Sequence, residues 1–336
     1  MERTVVGIDL GGTKTAGALV AADGTLGEVL EVRTPAAGGP VAVLDAVAGL
    51  VLELTRAGVG TTDRLGRADA VPTGGRLAVG IGTAGVVDVG RGRIVSATDV
   101  LPGWTGTAVA DGVRARLAPE MGEVGVHVQN DVDAHASGEA WVGAAAGLGS
   151  VLVVAVGTGV GGSVVLGGSP LRGAHHVAGE IGHLPVPGAE GLRCTCGRLG
   201  HLEAIGAGPG LYRRYLALGG DVASPDARDV VARAAAGDEV AVRAVRDSAT
   251  AVGRGTAGIV TVLDPDAVLV TGGLAGSGEL WWDTMEAALR AELIDPLAGI
   301  PLLRAALGNE AAIVGAARGA WDLLAERGRE HEGVTA

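Results

Sequence analysis

The chain has 336 residues, a formal charge of −12 and an apolar share of 48%, enough to bury two cores and too acidic to offer the positive footprint that nucleic-acid phosphates require. Its two cysteines, Cys194 and Cys196, make no disulfide framework, and Met-Glu-Arg runs straight into a strand-like stretch without a secretory signal. Both features point to a reducing, cytoplasmic setting.

Thr4–Leu10 is a short apolar run carrying Asp9, and Gly11-Gly12-Thr13-Lys14 turns the chain into a second apolar run, Thr15–Ala21. Asp23-Gly24 then signals a hairpin turn. Helical spacing covers Pro40–Ala57, a strand covers Leu77–Ile81, and a helix covers Ala108–Leu117. Gly125–Gln129 is a further strand, ending at Asn130-Asp131, where a helix-like run to Gly143 begins. No charge appears from Ala140 to Leu171, a length that exceeds a membrane span. Nine glycines interrupt it, however, and its parts read as helix end, strand, turn and strand.

About 146 residues after the first turn the plan recurs. Ser150–Val156 is a strand, Gly157-Thr158-Gly159-Val160-Gly161-Gly162 turns, and Ser163–Leu166 returns. Asp226–Leu263 is mostly helical, Ala267–Thr271 is a strand stopping at Gly272-Gly273, and helices follow at Glu279–Leu297 and Glu310–Ala325. Two copies of one unit predict an α/β chain of two similar lobes facing each other across a cleft, the duplicated actin- and hexokinase-like (ribonuclease H-like) plan. The expected boundaries are a small lobe at 1–125, completed by a helix near 312–330, and a large lobe at 126–311.

Glycine turns after strands let backbone N–H groups approach an anion closely, so the paired turns read as phosphate cradles. Asp9 stands where a carboxylate holds Mg²⁺ through waters, and Lys14 is the single lysine of the chain. The competing reading is two ordinary hairpins with a capping Asp. Gly157, Gly159 and Gly162 also match a dinucleotide fingerprint, but strand-like Ser163–Leu166 stands where that motif needs a helix. Asp131, at a helix start, is kept ionised by the helix dipole and suits a base, though a plain N-cap explains it as well. Asp133 and His135 have no such placement and are taken as surface residues. His183, Cys194, Cys196 and His201 offer four soft ligands within 19 residues, a tetrahedral set for a structural Zn²⁺.

Together, Asp9–Lys14, Asn130-Asp131, Gly157–Gly162, Gly179–His183 and Cys194–Glu203 resemble the ROK family of sugar kinases and sugar-responsive repressors over nearly the whole chain. The first phosphate strand starts at Thr4, which leaves no room for a repressor's winged helix. The resemblance therefore implies the kinase branch, with ATP, Mg²⁺ and a structural zinc. Asp131 would deprotonate the sugar 6-hydroxyl, and Asn130, Glu180, His183 and Glu203 would hold the other hydroxyls. His183 would face zinc with one ring nitrogen and sugar with the other. Asp9, Gly11, Gly12, Thr13, Lys14, Thr158, Gly159, Gly272 and Gly273 would meet the nucleotide and its metal. A homodimer without membrane or nucleic-acid partners is implied too. Two departures stand out: His201 replaces a third cysteine, and no Asn precedes Trp104 where the family's glucokinases carry one. Thr98 sits there instead, as in N-acetylmannosamine kinases, and Gly85 leaves space for an N-acetyl group. The expected acceptor is a hexose or N-acetylhexosamine, with N-acetylmannosamine favoured and glucose the alternative. A non-catalytic sugar sensor is the alternative from another class.

Overall fold

The computed structural model describes residues 3–58, 76–98 and 100–333. It comprises two compact units. The first holds the described residues up to Ala146, Ala174–His176 and those from Leu307 on; the second holds Gly147–Gly173 and Val177–Ala306.

In the first unit the chain runs through β1 (Arg3–Leu10), β2 (Lys14–Leu19), β3 (Leu30–Arg33), α1 (Gly39–Gly58), β4 (Arg76–Thr83), β5 (Val86–Asp88), β6 (Arg93–Ser96), α2 (Val109–Met121), β7 (Val124–Asn130) and α3 (Asp131–Val142). The sheet order is β3-β2-β1-β4-β7. β1 to β3 form antiparallel pairs, while β4 and β7 extend the sheet in parallel. β1, β2, β4 and β7 are largely buried on both faces because both faces are covered, while edge strand β3 alternates Leu30 and Val32 with exposed Glu31 and Arg33. One face packs Val6, Ile8, Val79 and Val126 against Val47, Val51 and Leu54 of α1 and Val113 and Leu117 of α2. The segment Ala36–Ala57 is, among the described residues, the one helix long and apolar enough to cross a membrane. Its apolar side is buried in this core.

The second face is closed by the C-terminal helix. Ile313, Ala317, Ala320 and Leu324 pack on Val5, Ala16, Ala18 and Ala78. Gly7 and Gly80, opposite each other in β1 and β4, permit this. A side chain at either would collide with the carbonyl of Ile313 or Ala316.

The second unit repeats the arrangement. Its elements are β8 (Ser150–Val156), β9 (Val160–Leu166), β10 (Ser169–Pro170), α4 (Glu203–Gly206), α5 (Gly208–Ala217), α6 (Ala227–Ala235), α7 (Glu239–Leu263), β11 (Ala267–Thr271), α8 (Glu279–Glu292) and β12 (Leu302–Arg304). α9 (Ala311–Gly333) is the helix already placed in the first unit. The sheet order is β10-β9-β8-β11-β12, with the same antiparallel and parallel pairs. Leu152, Val154, Val252, Val260, Val268 and Val270 lie at the heart of its core. The uncharged stretch from Ala140 thus resolves into the end of α3, β8 and β9.

The lobe boundary expected at 125/126 falls instead at 146/147. β7 hydrogen-bonds to β4, and α3 packs along α9, so both belong to the first unit. The helix expected over Glu279–Leu297 stops at Glu292, and Asp295–Leu297 is a separate 3₁₀ turn. Pro296 cannot supply the N–H that a continuing helix needs.

Candidate active site

In the first unit the turn after β1 is closed by the Gly11 N–H, which donates to Lys14 O at 3.0 Å. It is braced from just beyond β3, where Thr34 donates its hydroxyl to Gly11 O at 2.7 Å and its N–H to Thr13 O at 3.0 Å. Lys14 Nζ lies 2.6 Å from Glu31, so in this structure its ammonium is paired across the sheet. Both partners are about half exposed, and such a pair exchanges readily.

Asn130, not Asp131, caps α3. Its side-chain oxygen accepts from Val132 N at 2.8 Å and Asp133 N at 3.3 Å, and its amide donates to Gly85 O at 3.0 Å. Asp131 is therefore the first residue inside the helix, with one oxygen accepting from its neighbour Val132 N at 2.9 Å. Burial pushes its carboxyl above the usual range, opposed by that N–H. Asp9 is pushed up to about 6, first by burial and then by the charge of Asp131, with Lys14 pulling the other way. Two desolvated carboxylates within each other's field fit a dication, which would relieve both. Asp133 and His135, expected at the surface, are instead largely buried, because α3 lies against both α9 and β4.

Gly85 has φ +105°, and a Cβ there would meet Ser96 O at 2.7 Å and Ala97 Cβ at 3.0 Å. The glycine serves its own turn and the close approach of the 96–97 segment. Thr98 follows on the exposed loop. Trp104, fully buried, donates Nε1–H to Thr83 at 3.2 Å and anchors the far end of that loop.

In the second unit three segments meet at the end of β8. Gly157 N donates to Gly159 O at 2.9 Å, Gly208 N to Gly157 O at 2.8 Å, and Leu274 N to Val156 O at 3.0 Å. The glycine turn, the start of α5 and the Gly272-Gly273 turn are thus hydrogen-bonded into one cradle. Beside it opens a cavity of about 850 Å³, lined by Thr158 and Gly273 together with Tyr212, Asp226, Arg228 and Ser277. A phosphate chain fits the end formed by the glycine turn and a nucleoside fits the remainder. The last four residues carry no common signal in the sequence; Asp226 is also the cap of α6.

His183, Cys194, Cys196 and His201 do come together, with ligand atoms all within 4.8 Å of one another. Cys194 Sγ lies 3.6 Å from His183 Nδ1, and Cys196 Sγ lies 3.2 Å from His201 Nδ1. The Arg198 N–H pulls the Cys196 thiol below its ordinary range, while burial raises that of Cys194. Two thiols and two imidazoles in so small a volume fit a tetrahedral zinc. His183 turns its other nitrogen, Nε2, toward Glu180 at 3.7 Å. Glu203, at the start of α4, accepts from Val160 N at 3.3 Å and from the Thr195 hydroxyl, joining the glycine turn to the cysteine loop.

The ROK family pattern matches residues 5–322. The chain belongs to the ROK family. It is 32% identical over 332 residues to a glucokinase of Streptomyces coelicolor, covering 93% of this chain and 96% of that one. It is also 32% identical over 319 residues to an N-acetylmannosamine kinase of Shigella flexneri, covering 94% and 97%. Among solved structures, a ROK hexokinase of Thermus thermophilus superposes with TM-score 0.80 at 34% identity, over 96% of this chain and 99% of that one. A ROK family glucokinase of Streptomyces griseus, in complex with glucose and AMPPNP, gives TM-score 0.75 at 30% identity, over 95% and 99%. The doubled strand order seen here is accordingly the actin-like, two-lobed ROK fold.

Proposed function

We infer that this ROK protein is an ATP-dependent sugar kinase that phosphorylates the 6-hydroxyl of a hexose or N-acetylhexosamine. The observation that carries the reading is Asp131: a half-buried carboxylate relieved of capping by Asn130, raised in pKa by desolvation, and close enough for its charge to raise Asp9 as well. A carboxylate so tuned is a competent base for a hydroxyl proton. The kinship to glucokinases and N-acetylmannosamine kinases supports the same class of reaction.

In this reading Asp131 orients the 6-hydroxyl and accepts its proton as the new O–P bond forms. Glu180, His183 and Glu203 hold the remaining hydroxyls, and Asn130 offers its amide to one of them by giving up Gly85 O. The 157–162 turn, with Thr158, Gly159, Gly272 and Gly273, receives the nucleotide in the cavity of the second unit. Gly11, Gly12, Thr13 and Lys14 approach its phosphates, which requires Lys14 to leave Glu31. Asp9 would hold Mg²⁺, which neutralises charge on the phosphates during transfer. His183, Cys194, Cys196 and His201 would hold zinc, which supplies rigidity to the loop that presents His183 and Glu203. A homodimer belongs to the same proposal, and light scattering on the purified chain checks it.

N-acetylmannosamine remains the favoured acceptor on the strength of Thr98, whose hydroxyl is exposed on its loop. Gly85 no longer supports that preference, since the space beside it is filled by Ser96 and Ala97. Glucose is the second reading, favoured by the resemblance to glucokinases. ADP release measured over a panel of N-acetylmannosamine, N-acetylglucosamine, mannose and glucose tests both. No sugar-dependent ADP from any of them returns the chain to a non-catalytic sensor.

A further inference from the structure

Glu139 is a fully buried carboxylate that the proposed reaction does not use. It lies on α3, eight residues beyond Asp131, so a little over two turns of one helix separate the two groups. Its two oxygens have separate partners. One accepts from Ala144 N at 2.8 Å, and the other from Leu307 N at 2.8 Å. Gly143 is glycine at the point of closest approach, since a Cβ there would collide with the carboxylate. His135, one turn earlier, feels the Glu139 charge, but burial holds its imidazole below the usual range and so favours the neutral ring. The hydrogen bonds described for the carboxylate come from backbone N–H groups. An ionised acceptor makes such bonds about twice as strong as a neutral one.

Those two N–H groups have a particular place in the chain. Ala144 lies just before the point after Ala146 where the chain leaves the first unit, and Leu307 is the residue at which it returns to form α9. Both residues belong to the first unit, and one side chain of α3 holds both. A glutamine could accept only one of these N–H groups and would turn its NH₂ against the other.

We propose that Glu139 is a positioning residue for Asp131: it fastens the helix that carries the base to the exit and the return of the chain in the first unit. The proposal rests on the reading of Asp131 as the base. A small misplacement of a reacting group is enough to cost one to two orders of magnitude in rate. Of the proposed sugar-holding groups, Glu180, His183 and Glu203 sit on other elements and only Asn130 shares the helix, so the loss falls chiefly on kcat and little on KM.

The test is a double-mutant cycle on the full-length protein under saturating substrates. Glu139→Gln is expected to lower kcat about 10- to 100-fold while both KM values stay within about twofold. In the Asp131→Asn background the same substitution is expected to change the residual rate less than about twofold, because the group it positions is gone. Should Glu139→Gln fail to fold, Leu307→Pro removes one donor without touching the carboxylate and is expected to show the same split. Wild-type kcat in the folded variant overturns the proposal, as does a loss that adds fully to that of Asp131→Asn. If Asp131→Asn alone keeps its activity, the reading of the base fails and the proposal goes with it. If Asp131→Asn is inactive and Glu139→Gln is normal, only the proposal fails.

Discussion

The two units share one strand order and one hairpin, yet the chemistry at the hairpin tip differs. In the first, Leu10 pairs with Thr15 across Gly11–Lys14; in the second, Val156 pairs with Val160 across Gly157–Gly159. One step back from each tip stand Asp9, opposite Ala16, and Ala155, opposite Gly161. The first unit thus carries an acid beside a second acid, and the second carries a neutral strand end beside a cavity. A duplicated backbone supplies two glycine turns at strand ends. In the proposed reading, single residues then decide which of them would take a cation and which a nucleoside.

The largest effect is expected where the first unit's acid pair is broken. Asp131→Asn keeps the shape of α3 and removes the proton acceptor, so kcat should fall about 10²- to 10⁴-fold with a normal circular dichroism spectrum. A loss of less than about tenfold at saturating sugar would place the base elsewhere. Asp9 sharpens the contrast through pH. Its folded carboxyl, pushed up to about 6, lies above its unfolded value, so its neutral form adds stability at low pH. That stability is lost as pH rises from 3.8 through about 6. Without Mg²⁺, the melting temperature of Asp9→Asn should therefore gain on wild type between about pH 4 and pH 7, and saturating Mg²⁺ should narrow the gap. A parallel pH dependence in the two proteins would remove Asp9 as the cause.

Copying the acid into the second unit is the reverse test. Ala155→Asp sets a carboxylate beside the cradle without the partner that a dication would bridge. The expected cost is roughly 1–3 kcal/mol of stability in urea titrations at pH 8, without new metal binding. The zinc proposed for the second unit is checked by elemental analysis. About one zinc per chain is expected, and Cys196→Ser should lower that content and raise the sugar KM several-fold before global stability changes. A wild-type protein free of metal would dismiss the zinc reading. The smallest effect is assigned to Thr98→Ala, which should reduce the ratio of kcat/KM for N-acetylmannosamine over glucose by a few-fold. An unchanged ratio would leave that loop out of sugar choice.

Much of the comparison could be read from the sequence because its carriers are local. Asp9 through Lys14 and Gly157 through Gly162 each follow an apolar run, and short-range geometry makes such a segment a turn. Cys194, Cys196 and His201 lie close in the chain, so their meeting needs little long-range information. The boundary was illegible for the opposite reason. Nothing within Val124–Asn130 says that its hydrogen bonds go to β4, some 45 residues earlier. Asp133 and His135 look exposed among alanines because α3 has no clear apolar stripe, yet α9, from the far end of the chain, covers it. Tyr212, Asp226 and Ser277 line one cavity from three segments that carry no common signal. Asn130 as the cap was a choice between adjacent residues, and only the hydrogen bonds resolve it.

The C-terminal helix also sets a schedule for synthesis. The second unit's elements lie almost wholly between Gly147 and Ala306, so it has all its partners in hand once that stretch has emerged from the ribosome. β1, which precedes the other described strands, cannot cover its second face until Ile313, Ala317, Ala320 and Leu324 arrive. The first unit therefore waits through most of translation with Val5, Ala18 and Ala78 uncovered, an invitation to chaperones and to pairing with neighbouring nascent chains. A nascent chain stalled before Leu307 should hold a protease-resistant second unit and a first unit still open to cleavage.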